Sequence, residues 1–157
     1  MSTSPSVVPD KPLIDDDDAY AWAGRQAALL RARRFDELDL DRIAGELDDV
    51  GSEIYERLDS ALTILFMHML KWDLQPERRS RSWEATIREQ RRRIAKLLRE
   101  NPSLKAKLES AKEAGYGYGR DRASGETDIA IERFPEASPY SWQDIADRDF
   151  NIDPPRS

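Results

Sequence analysis

One periodic stretch, from Asp39 to Trp72, constrains the fold of this chain more than any other feature. Its apolar residues follow one another at steps of three and four, the spacing of one face of an amphipathic helix. These residues are Ile43, Leu47, Val50, Ile54, Leu58, Ala61, Leu62, Leu65, Met69 and Trp72. Asp39 or Asp41 would cap the start of the helix. A single helix cannot bury such a stripe alone, so we expect the rest of the chain to supply partner helices.

The composition is typical of solvated helices around a modest interior. The 157 residues suffice for one core, and 36% of them are charged. No apolar run approaches the length of a membrane span, and the N-terminus lacks the basic and apolar regions of a secretion signal. The absence of cysteine excludes disulfides and thiolate metal sites, so a reducing cytoplasm is the expected location.

Helix signals occur on both sides of the long stretch. An acidic run over 15–18 predicts the N-terminus of a first helix over 17–33, and it lacks the glycine and the distal glutamate of a calcium loop. The apolar face expected for this helix comprises Tyr20, Ala23, Ala27 and Leu30, with Trp22 beside it. After Pro76, Ser80 or Ser82 would cap a third helix that extends to Asn101.

A fourth helix is expected from Ser103, and it contains an unusual run of glycines. Gly115, Gly117 and Gly119 together cost about 3 kcal/mol relative to alanines in a helix. We expect the helix to continue through them and to break near Gly125. A phosphate-binding loop is the alternative, but neither a preceding strand nor a Gly-Lys-Ser/Thr ending supports it.

Ser141 and Asp144 have the spacing of a capping box, which predicts a short C-terminal helix. The predicted fold class is therefore all-α, an antiparallel helical bundle of about four main helices with a short C-terminal helix. We expect a single domain over 15–150, a mobile N-terminal tail over 1–14 and a frayed C-terminus over 151–157.

Charge is distributed unevenly along the chain. Residues 1–70 carry a net −8, residues 71–99 a net +6 and residues 100–157 a net −4. The basic segment holds an arginine block made of Arg78, Arg79, Arg81, Arg88, Arg91, Arg92 and Arg93. Pairing within the protein is favoured, with carboxylates of the long helix (Glu46, Asp48, Asp49, Glu53, Glu56) or of the same helix (Glu84, Glu89). The alternatives are a protein partner, or nucleic acid or another anion held by an edge made of Arg88, Arg92, Lys96 and Arg99.

The only histidine, His68, falls on the inward seam of the long helix. A metal or proton-transfer role would need partners such as Glu46 or Glu53. A di-iron bundle would need Glu-x-x-His on two helices, which this sequence lacks. We favour an interior histidine hydrogen-bonded to a carboxylate, a hydroxyl or Gln90, and we expect no metal and no cofactor.

Polar residues also gather where the long helix ends and the next one begins. The candidate polar cluster comprises Glu46, His68, Lys71, Trp72, Arg79, Ser82, Trp83, Gln90 and Arg91. It would either line a small polar pocket or form a buried network that fixes the register of the helices, and we favour the network. Ser82 has no histidine nearby in the sequence, so no catalytic triad is expected.

The sequence blocks around this cluster resemble the bacterial domain-of-unknown-function 29 family. HMLKW, then QPERRSRSWEATIREQRRRI and NPSL, and later Phe-Pro followed by Pro-Tyr, occur in the family's order over about Ala19–Phe150. The family's recurrent residues correspond to Glu46, His68, Lys71, Trp72, Gln75, Pro76, Arg79, Ser82, Trp83, Thr86, Ile87, Gln90, Arg91, Tyr116, Glu126, Thr127, Phe134, Pro135, Pro139 and Tyr140. Gly117 and Gly119 depart from the family pattern, which usually has better helix formers there. The resemblance implies an all-helical fold and no established activity.

These features favour a non-enzymatic protein-interaction or regulatory module of the bacterial cytoplasm. The expected partner is another protein or a second copy of the chain, without a membrane. An anion or nucleic-acid binder that uses the arginine-rich third helix is the alternative. A small-ligand or metal site around His68 is the third hypothesis.

Overall fold

The computed structural model describes residues 18–153, which belong to two units, Met1–Asp48 and Asp49–Ser157. The expectation of a single domain over 15–150 stays a prediction, and the expected N-terminal tail lies outside the described residues. The α-helices are α1 (Ala19–Arg31), α2 (Leu40–Leu74), α3 (Arg81–Glu100), α4 (Leu108–Thr127) and α5 (Trp142–Asp147). Short 3₁₀ segments cover Phe35–Glu37, Pro76–Arg78, Pro102–Lys107 and Ile131–Arg133.

Side-chain caps start α1, α2, α3 and α5 where the sequence predicts them. Asp18 accepts a hydrogen bond from the Ala21 amide at 3.0 Å, and Asp39 accepts one from the Arg42 amide at 3.2 Å. Ser80 caps α3, and the predicted capping box starts α5. The prediction for α4 was several residues early, because Pro102 opens a 3₁₀ segment before the α-helix begins at Leu108.

In the first unit, α1 buries a different face from the one predicted. Trp22 and Gln26 are buried, whereas Tyr20 is 92% and Leu30 45% exposed. Within this unit the Gln26 Oε1 accepts a hydrogen bond from the Asp39 amide at 2.9 Å, just before α2 begins. The guanidinium of Arg42 lies 4.3 Å from the centroid of the Trp22 ring. The large indole and its polar neighbour therefore decide which side of α1 is covered.

The second unit contains the core, built from α2, α3, α4 and the C-terminal segment. Phe66, Leu58, Leu62, Leu65, Met69, Leu70 and Ile87 are its largest fully buried side chains. α3 returns antiparallel to α2, since Lys71 contacts Trp83 near the turn while Glu53 and Glu100 line one cleft at the far end. α4 runs parallel to α2, since Gly115 lies beside Leu62 and Glu126 lies beside Lys71.

Two glycines of α4 allow a close approach to α2. A Cβ added at Gly115 would lie 2.8 Å from the Leu62 Cβ, and one at Gly119 would lie 2.8 Å from the Thr63 carbonyl oxygen. Gly117 points to open space. The expected continuous helix is confirmed through this stretch. α4 ends at Thr127, two residues beyond the Gly125 near which the break was predicted, and Asp128 adopts a left-handed conformation with φ of 55°.

The C-terminal segment lies along the three long helices of the second unit. Phe66 stacks on Tyr140 and meets Tyr116 edge-on, while Trp72 meets Phe150 edge-on. The Tyr116 hydroxyl donates to the Pro135 carbonyl at 2.6 Å. Among residues 18–153, none of the helices combines the length and apolar character that crossing a membrane requires.

Candidate functional site

Lys71 is the centre of the polar contacts at the end of α2. The residue is only 8% exposed, and its Nζ lies 2.6 Å from Glu126 Oε2 on α4. The same ammonium lies 4.7 Å from the ring centroid of Trp83 on α3. A buried ammonium costs free energy unless it is paired, and here both a carboxylate and an indole face stabilise it. Lys71 thereby connects all three long helices of the second unit.

His68 is half-buried one turn before Lys71. Its Nδ1 lies 2.9 Å from the Ile64 carbonyl oxygen, which only accepts, so Nδ1 carries the proton and Nε2 is left as an acceptor. Burial lowers the pKa of His68, and the Lys71 charge acts in the same direction. The partner is thus a backbone carbonyl of the same helix rather than the expected side chain. Within 18–153, no group of three or more histidine and carboxylate side chains is arranged to hold a metal ion.

Two arginines of the predicted cluster bind backbone carbonyls. Arg79 Nε donates to the Trp72 carbonyl at 2.9 Å, and its guanidinium lies 5.0 Å from the Trp72 ring centroid. Arg91 donates to the carbonyls of Ile145 and Asp144 at 2.8 and 2.9 Å. Burial lowers the pKa of Arg91. These side chains fasten a turn and the C-terminal segment to the helices.

The remaining members of the predicted cluster that belong to the second unit do not meet at one point. The Trp83 ring faces the Lys71 ammonium. Gln90 lies further along α3 and lines a separate cleft. Ser82 is exposed near the start of α3. Glu46 is exposed and belongs to the first unit. Within the second unit, the members of the cluster therefore make separate contacts rather than line a single polar pocket.

The basic edge of α3 is exposed, and carboxylates of the same helix lie beside part of it. Arg88, Arg92, Lys96 and Arg99 are all exposed. Arg88 lies 3.6 Å from Glu84 and Lys96 lies 3.8 Å from Glu100, both at i,i+4 spacing. Glu89, which the sequence also suggested as a partner, pairs with Arg93 at 2.6 Å. The four basic side chains are nevertheless exposed, so the edge stays accessible to water and ions.

A cleft of about 530 Å³ opens between α2 and α3 around Gln90. Its lining residues are Glu53, Glu56, Arg57, Ser60 and Ala61 from α2, with Gln90, Arg93, Lys96, Leu97 and Glu100 from α3. Gln90 is 4% exposed, and its Oε1 is buried without a hydrogen-bond partner. The cleft therefore combines exposed charges of both signs with a buried amide.

Comparison with known proteins assigns the chain to a family but not to an activity. A family model described as Domain of unknown function DUF29 matches residues 14–151. The chain belongs to the DUF29 family. No curated protein and no solved structure matches this DUF29 chain.

Several residues that the resemblance picks out contact one another in the DUF29 structure. Lys71 pairs with Glu126, and the Tyr116 hydroxyl binds the Pro135 carbonyl. Tyr140 donates to Asp73 Oδ2 at 2.8 Å, and burial together with the Asp73 charge raises the pKa of Tyr140. Asp73, which also pairs with Arg148, was missed at the sequence level. Its partners lie 67 and 75 residues away, so no local pattern could reveal them.

The first unit of the DUF29 chain exposes an apolar stripe on the start of α2. The stripe consists of Leu40, Ile43 and Leu47, which share one helical face. Leu40 is 65% and Leu47 67% exposed, and Ile43 is half-buried. Asp41 and Asp48 border the stripe on one side, and Asp39 and Glu46 border it on the other. Arg42, which contacts Trp22, lies away from the stripe.

Proposed function

We propose that this DUF29 protein is a non-enzymatic protein-interaction module, and that the stripe of Leu40, Ile43 and Leu47 is its docking surface. The exposure of two leucines on one face of a helix carries the proposal. Fully burying a leucine side chain contributes about 1.5–3 kcal/mol, so a partner that covers both gains substantial free energy. Partner helices commonly bind through residues spaced in this way.

The acidic borders of the stripe favour a partner helix that carries lysine or arginine beside its own apolar residues. Asp41, Asp48 and Glu46 take part in no ion pair within the described part of the chain. A second copy of the stripe would place carboxylates opposite carboxylates, which opposes self-association. A basic amphipathic helix would instead meet opposite charges on both sides.

A synthetic amphipathic helix of leucine and lysine is a suitable probe, with the matching leucine and glutamate peptide as its control. We expect wild-type protein to bind the basic peptide and not the acidic one. The Leu40→Glu/Leu47→Glu variant should bind the basic peptide at least tenfold more weakly, measured by fluorescence anisotropy. Because this variant is more acidic, weaker binding would show that apolar contact is required, not charge alone.

A charge-matched control places the two glutamates elsewhere. Ala85 and Tyr118 are both exposed in the second unit, so Ala85→Glu/Tyr118→Glu should keep or slightly increase affinity for the basic peptide. Equal binding by all three proteins would contradict the proposal. A stable dimer in analytical ultracentrifugation that Leu40→Glu/Leu47→Glu dissociates would identify a second copy as the occupant instead.

A second candidate function is anion or nucleic-acid binding by the edge of Arg88, Arg92, Lys96 and Arg99. The exposure of all four side chains favours it. Guanidinium groups bind phosphates bidentately, and the resulting affinity depends strongly on salt. Arg88→Glu/Arg92→Glu should then abolish retention on immobilised duplex DNA at low salt. Unchanged retention would exclude this function.

A further inference from the structure

Gln90 occupies a position where an apolar side chain would suit the fold better. It lies on the inner stripe of α3, between the buried Ile87 and Ile94. Neither end of its amide has a hydrogen-bond partner among residues 18–153, and Oε1 is fully buried. Leaving a buried polar group unsatisfied costs the folded state free energy. No contact within residues 18–153 therefore accounts for this amide.

The groups around Gln90 include charges that are only weakly engaged. Arg57 lies 3.6 Å from Glu53 and Lys96 lies 3.8 Å from Glu100, and all four side chains are more than half exposed. Glu56 lines the same cleft and pairs with no cation in the part of the chain that the structure describes. Exposed pairs at these distances contribute little, so both signs of charge remain open to a ligand.

We propose that this cleft, which lies within the second unit, binds a short peptide. Such a ligand carries a positive charge at one end, a negative charge at the other and an amide between them. A peptide amide both donates and accepts, so it can satisfy the two ends of the Gln90 side chain together once that side chain turns its enclosed Oε1 towards the cleft. A free ammonium matches Glu56, and a free carboxylate matches Lys96 or Arg57. The volume of about 530 Å³ falls in the usual range for small-molecule sites. This binding is independent of the docking surface in the first unit.

The probe is alanyl-alanine, titrated into ¹⁵N-labelled protein while the side-chain amide signals of Gln90 are followed by NMR. Those signals are assigned by their loss in Gln90→Leu. We expect a saturable shift with the dipeptide. Two control ligands test the charges and the amide of the dipeptide separately. Alanine has both charges without the amide, and N-acetylalanine methylamide has amides without the charges. Each control should bind at least tenfold more weakly.

Two variants make the outcome decisive. Gln90→Leu should raise Tm, because the unsatisfied amide is removed, and should abolish the dipeptide response. Glu56→Gln changes only an exposed residue, and it should weaken dipeptide binding severalfold while Tm stays the same. No saturable shift at millimolar dipeptide, equal binding of the control ligands, or a lower Tm of Gln90→Leu would each overturn the proposal. The last result would show that Gln90 serves the fold, for example through an enclosed water.

Discussion

The two units of this protein use the same three- and four-residue apolar spacing and bury it very differently. In the first unit, Leu40 and Leu47 are about two-thirds exposed, and Trp22 is the one buried large apolar residue among residues 18–48. In the second unit, Leu58 and Leu65 on the same helix are completely buried. The periodicity therefore specifies a helix in both places, but burial depends on whether another element of the chain covers the face.

The contrast also separates two uses of an apolar stripe. A covered stripe stabilises the fold, because its side chains leave water during folding. An uncovered stripe contributes little to folding and is available to a partner. Substitutions in the covered stripe should therefore lower the stability of the fold, whereas substitutions in the uncovered stripe should weaken partner binding and leave stability nearly unchanged.

The largest difference is expected between Leu65→Ala and Leu47→Ala. Leu65 is 0% exposed, so its truncation leaves a cavity and should lower the free energy of unfolding by about 2–5 kcal/mol. Leu47 is 67% exposed, and its truncation should change that free energy by less than about 0.5 kcal/mol. Urea unfolding followed by circular dichroism measures both. Similar losses for the two variants would contradict the division between covered and uncovered stripe.

An intermediate difference is expected between two glycines of α4. Gly119→Ala places a methyl group 2.8 Å from the Thr63 carbonyl oxygen and 2.9 Å from the Phe66 Cβ, so α2 and α4 must move apart at a cost of about 1–3 kcal/mol. Gly117→Ala meets nothing within 4 Å and should stabilise the helix by about 1 kcal/mol. Thermal unfolding shows directly whether each variant is more or less stable than the wild type. A stabilised Gly119→Ala would show that the helices do not approach as closely as described.

The smallest effect concerns the pH dependence that His68 confers on the second unit. Because burial lowers its pKa, the unfolded chain binds the proton more readily than the folded one. The stability that the neutral His68 ring contributes is fully present above the ordinary pKa of 6.5, and it is lost as pH falls through the lower pKa of the folded state. Unfolding free energies at pH 7.5 and pH 5.5 should therefore differ less in His68→Gln than in wild type. A ring titration midpoint above 6.5 by NMR would contradict this.

Much of the fold follows from local sequence signals. The caps at Asp18, Ser80 and Ser141 and the continuity of α2 depend on residues only a few positions apart. The buried face of α1 was predicted wrongly, because spacing alone cannot tell which of two adjacent apolar faces a neighbour covers. The exposure of Leu47 and Val50 was missed for the same reason. Which helix surfaces meet is decided by tertiary packing rather than by periodicity.

The candidate site was harder to predict, because most of its contacts join distant parts of the sequence. Lys71 was identified, but its partner Glu126 lies 55 residues away. Charge patterns suggested carboxylate partners for Arg91, whereas the side chain binds two backbone carbonyls. Every residue offers a carbonyl, so a sequence contains no signal for such a partner. The unpaired amide of Gln90 could be suspected from its position on an inner stripe, but the open cleft beside it could not.

The arginines that bind carbonyls have a consequence for how this protein tolerates evolutionary change. Arg91 holds the carbonyls of Asp144 and Ile145, and Arg120 holds those of Ile131 and Phe134. A main-chain acceptor survives most replacements of the residue that carries it, so the fastened segment can diversify at its exposed positions without detaching. The arginines have no such freedom, since lysine lacks the planar fork that reaches two carbonyls at once. We therefore expect relatives to vary along the C-terminal segment outside its recurrent residues Phe134, Pro135, Pro139 and Tyr140, while these two arginines stay unchanged.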